Sequence, residues 1–87
     1  MDTTERIRLA RKCIADSQRP ENDQGTRLDA AIQALRYLGK DVAADPVIQH
    51  YFDHKYEWQV ERLTYLDMHA YVLALAQDLL SQLEQTK

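Results

Sequence analysis

Apolar residues recur at three- and four-residue spacing through most of the chain, and the two residue types that interrupt a helix are confined to its centre. Pro20, Gly25, Gly39 and Pro46 are the only prolines and glycines, and none occurs from Val47 to Lys87. A 3.6-residue period with breakers in the middle alone predicts an all-α chain of about four helices, at approximately 3–17, 26–38, 46–63 and 66–84. The chain is read as one domain, residues 1–87.

In the first segment Ile7, Ala10, Cys13, Ile14 and Ser17 form a modest apolar stripe with Leu9 at its edge. Asp2 or Thr3 is placed to cap it, and Arg8, Arg11 and Lys12 occupy the opposite side. Residues 18–25 are polar and read as a surface loop. Leu28, Ala31, Ile32, Leu35 and Leu38 then share one face until Gly39, with Thr26 and Asp29 spaced as a capping pair. Asp45-Pro46 is a strong third start. The carboxylate can accept from free first-turn amides, and proline at the first helical position loses no needed donor.

A single helix from Pro46 to the C-terminus would run about 60 Å at 1.5 Å per residue. A compact chain of this length has a radius of gyration of only ~12 Å. The sequence therefore predicts either a break at residues 63–67, where Thr64 and Asp67 have capping spacing, or an overhang covered by a second copy. Beyond it Met68, Val72, Leu73, Leu75, Ala76, Leu79, Leu80 and Leu83 span about half the helix circumference, more than one neighbour covers. That width predicts a homodimer with Met68, Val72, Leu75, Leu79 and Leu83 in its interface.

Composition and charge narrow the partners. The 87 residues are 45% hydrophobic and 29% charged, with a net charge of −3. A core this small is marginal for a lone monomer. The basic residues Arg6, Arg8, Arg11, Lys12 and Arg19 cluster at the front of a chain that is otherwise acidic, which argues against tight nonspecific nucleic-acid binding. The connector after the first helix also exceeds the turn of a helix-turn-helix motif. The longest uninterrupted apolar run, Ala70 to Ala76, is far short of the ~20 residues of a membrane span. No signal-peptide pattern is visible and the lone Cys13 can form no internal disulfide, so the expected location is cytoplasmic.

No phosphate loop, Cys-x-x-Cys pair or His-Glu-x-x-His signature is present, so the chain is read as non-enzymatic, and no cofactor is predicted. His50, His54 and Glu57 have a spacing that lets a helix present metal ligands, but no second cluster completes a site, and a solvated acidic face is the simpler reading. His69 falls inside the apolar arc and calls for a tyrosine or a backbone carbonyl as hydrogen-bond partner. Cys13 reads as a small buried hydrophobe.

Tyr51, Phe52, Tyr56, Trp58 and Tyr65 crowd one short stretch. Tyr51, Tyr56, Trp58, Arg62 and Tyr65 are the residues predicted to contact a partner, since Trp, Tyr and Arg dominate binding hot spots. The expectation is a small non-catalytic protein–protein interaction module: an adaptor, inhibitor or regulator of another macromolecule. The alternatives are a dimeric nucleic-acid-associated transcriptional regulator, and a metal-binding helical protein using His50, His54 and Glu57.

Overall fold

The computed structural model describes residues 2–54 and 65–85, with backbone alone at His54, Tyr65 and Leu66. The described residues are all-helical, with no strand: α1 is Thr3–Ser17, α2 Gln24–Tyr37, α3 Pro46–His54 and α4 Tyr65–Gln85, and a short 3-10 turn, Val42–Ala44, precedes α3. No described helix is long and apolar enough to cross a membrane.

The starts of α1 and α2 each have a named cause. The Asp2 carboxylate accepts from the Glu5 amide at 2.8 Å and opens α1. The start of α2 differs from the sequence expectation, because Asp23, not Thr26, is the cap. Its carboxylate accepts from the Thr26 amide at 2.7 Å, which moves the helix start to Gln24 and puts Gly25 in the first turn. The hydrogen bonds from Thr26 hold the Asp23 carboxyl below its ordinary range. The connector is thereby shortened to residues 18–23, still longer than a helix-turn-helix turn.

The end of α2 is a Schellman motif. Gly39 has φ +89°, its amide donates to the Arg36 carbonyl at 3.1 Å, and the Lys40 amide donates to the Leu35 carbonyl at 3.0 Å. These bonds satisfy carbonyls that a helix end otherwise leaves without partners.

The core is built from α1, α2 and α4. Ala10 and Ile14 meet Leu28, Ala31, Ile32, Ala34 and Leu35, and Met68, Val72 and Ala76 of α4 close the third side. Ala10, Ala31, Ala34 and Ala76 are fully buried, and their small side chains let the helices approach closely. Leu38, Val42 and Ile48 extend the same core toward α3.

Side chains tie the helix ends together across this core. Arg6, at the start of α1, donates its Nε to the Tyr37 carbonyl at the end of α2 at 2.8 Å. Arg27, at the start of α2, donates its Nε to the Ser17 carbonyl at the end of α1 at 2.9 Å. Each helix of the hairpin thus receives its last-turn donor from the other, and each guanidinium sits at the negative end of a helix dipole.

The chain reverses between α3 and α4. The Tyr71 hydroxyl lies 3.0 Å from the Asp45 carboxylate. In one unbroken helix those residues would stand about 39 Å apart. The longest dimension of the molecule is 43 Å and its radius of gyration 13.2 Å, so a rod of about 60 Å does not fit. Helix α4 is described from Tyr65 onward, so the expected break at residues 63–67 falls at the edge of the described residues, and residues 55–63 of the expected third helix lie outside them.

Gly39→Ala is expected to destabilise the fold by about 1 to 2 kcal/mol, because alanine is strained at positive φ. The added Cβ would also meet Arg6 Nη2 at 2.8 Å and displace that side chain. Urea unfolding should show a lower midpoint with an unchanged slope, and an unchanged midpoint would refute the motif's role.

Candidate functional site

The region that departs from an ordinary helical core is α3 and the residue that starts it. Asp45 is only 5% exposed and bonds through both carboxylate oxygens. Oδ1 accepts from the amides of Val47 at 2.9 Å and Ile48 at 3.1 Å, the second and third residues of α3. Oδ2 accepts from the Tyr71 hydroxyl at 3.0 Å and faces the Lys40 ammonium at 3.4 Å. Burial pushes the carboxyl up, but the donors Ile48, Tyr71, Val47 and Lys40 together outweigh it and hold the group below its ordinary value. Burial, the bond to Asp45 and the charge of Asp45 all push the Tyr71 phenol up.

Asp45 thus fixes the first turn of α3 and ties it to α4. From there the helix buries only a narrow stripe. Ile48 is fully buried and Tyr51 half-buried against the core. Burial raises the Tyr51 phenol, and the charge of Asp29 on α2 adds to it. Val47 and Phe52, on the two flanks of that stripe, are 45% and 39% exposed. The Phe52 ring packs edge-on to Tyr51, with centroids 5.4 Å apart and planes at 62°. Such a pair is stabilised by the ring quadrupoles without leaving solvent.

Of the residues expected to contact a partner, Tyr51 belongs to this surface. Tyr56, Trp58 and Arg62 lie outside the described residues, as does the Tyr65 side chain. Val47, Phe52 and Tyr71 are the surface members that sequence reasoning missed. The helical period puts Val47, Ile48, Tyr51 and Phe52 together on one broad apolar side of their helix. The available signal was width, since a short helix on one neighbour covers ~100° and this arc is wider. Nothing in the sequence announced the bond from Tyr71 to Asp45.

His50 is exposed on α3, whereas the His54 side chain and Glu57 lie outside the described residues. Among the described residues no three His, Cys, Asp or Glu side chains are grouped to hold a metal ion. His69 is buried with Nε2 3.0 Å from the Ser17 carbonyl, the backbone partner its position called for. A carbonyl only accepts, so Nε2 carries the proton of that bond. Cys13 is half-buried against the core, and burial, assisted by Asp16, pushes its thiol up, away from the thiolate that reacts.

The residues assigned to a dimer interface divide into two groups. Met68 and Val72 are buried beneath the chain's own α1 and α2, while Leu75, Leu79 and Leu83 are half-buried at the edge of the core. The three arginines of α1 have near partners: Arg8 pairs with Glu5, Arg11 with Glu84 of α4 at 2.8 Å, and Arg6 with the Tyr37 carbonyl. Just beyond the helix Arg19 lies 3.5 Å from Asp16.

No protein-family model, no curated protein and no solved structure matches this chain.

The depressed Asp45 carboxyl has a definite pH consequence. Its contribution is complete above the unfolded aspartate value of about 3.9 and is lost as pH falls through the lower folded value. In urea unfolding, wild type should exceed Asp45→Asn clearly at about pH 7, with the gap closing toward about pH 3. A gap that is constant, or that widens in acid, would show that ionised Asp45 is not what holds α3.

Proposed function

We propose that this chain is a small non-catalytic binding protein, an adaptor, inhibitor or regulator, that engages another protein through α3 and the aromatic stretch following it in sequence. The observation that carries the reading is the exposure of Val47 and Phe52 on a helix whose position is fixed by a buried carboxylate. Exposed apolar side chains on a firmly placed element are the usual core of an interaction site, because little ordering entropy opposes binding. Tyr56 and Trp58 follow within a few residues and belong to the types enriched in hot spots. The cytoplasm is the proposed setting, on the strength of a single cysteine.

Capture from a native lysate tests this reading. Wild type should retain a protein partner after nuclease treatment, and Val47→Ser combined with Phe52→Ser should lose it while keeping the wild-type circular dichroism spectrum. A partner released by nuclease, or retained equally by the double variant, would overturn the reading.

Self-association through the outer edge of α4 belongs to the same proposal, supported by the half-buried Leu75, Leu79 and Leu83. Light scattering at tens of micromolar should give a dimer that Leu79→Glu converts to a monomer. A monomeric wild type removes this part.

A further inference from the structure

We draw no further inference here: the strongest candidate, the exposed apolar flanks of α3 at Val47 and Phe52, belongs to the site already described, and nothing in the structure shows what covers it.

Discussion

The carbonyl of Ser17 is where the three core helices meet. It ends α1, accepts from Arg27 of α2 at 2.9 Å and contacts His69 of α4 at 3.0 Å, while the Ser17 hydroxyl turns back to the Ile14 carbonyl at 2.7 Å. Ser17 has no exposed surface, so each of these polar groups would be costly without a partner, about 1 to 3 kcal/mol apiece. A helix end normally spends its last carbonyls on water. Here that need is converted into a joint, and the hydrogen bonds specify which helices meet and at which turn, a choice that apolar packing makes only loosely.

The rest of the architecture follows outward from that joint. With His69 held against α1, Tyr71 comes two residues later on α4 and reaches Asp45, whose other oxygen starts α3. Placement of α3 thus draws on the contacts from Ser17 to His69 and from Tyr71 to Asp45 as well as on α3's own burial, which is concentrated on Ile48. A helix held by polar contacts at its first turn can leave apolar flanks in solvent and remain in place. That is the physical basis for reading Val47 and Phe52 as a presented surface.

Much of the scaffold was legible because local chemistry decides it. Asp45-Pro46 started a helix, Gly39 ended one, the period of Leu28, Ala31, Ile32 and Leu35 found its core face, and the length argument left a break at residues 63–67 or an overhang covered by a second copy. What escaped were contacts between distant residues. Arg6 and Arg27 look like any surface arginines until the hairpin brings each to the other helix's last carbonyl. Asp23 displaced Thr26 as cap because an aspartate two residues before Gly25 was available, a competition between neighbours that spacing alone does not rank. The wide arc of α4 turned out to be covered along Met68, Val72 and Ala76 by α1 and α2 together, the position of a central helix, with half-buried leucines at its margins. The exposure on α3 was only half legible, because a period says which residues share a side and not how far the neighbour reaches, so it could not tell the buried Ile48 from the exposed Val47 and Phe52.

The Ser17 joint sets α4 and, through Tyr71 and Asp45, sets α3. Amide hydrogen exchange of His69→Leu tests it most directly, since leucine keeps the site apolar and removes the bond to the Ser17 carbonyl. The account predicts that protection falls together at Val72 and Ile48, while Ala10 and Ala31 in the α1–α2 hairpin remain protected. Loss at Val72 with Ile48 unchanged, or a uniform loss across the whole chain, would contradict it.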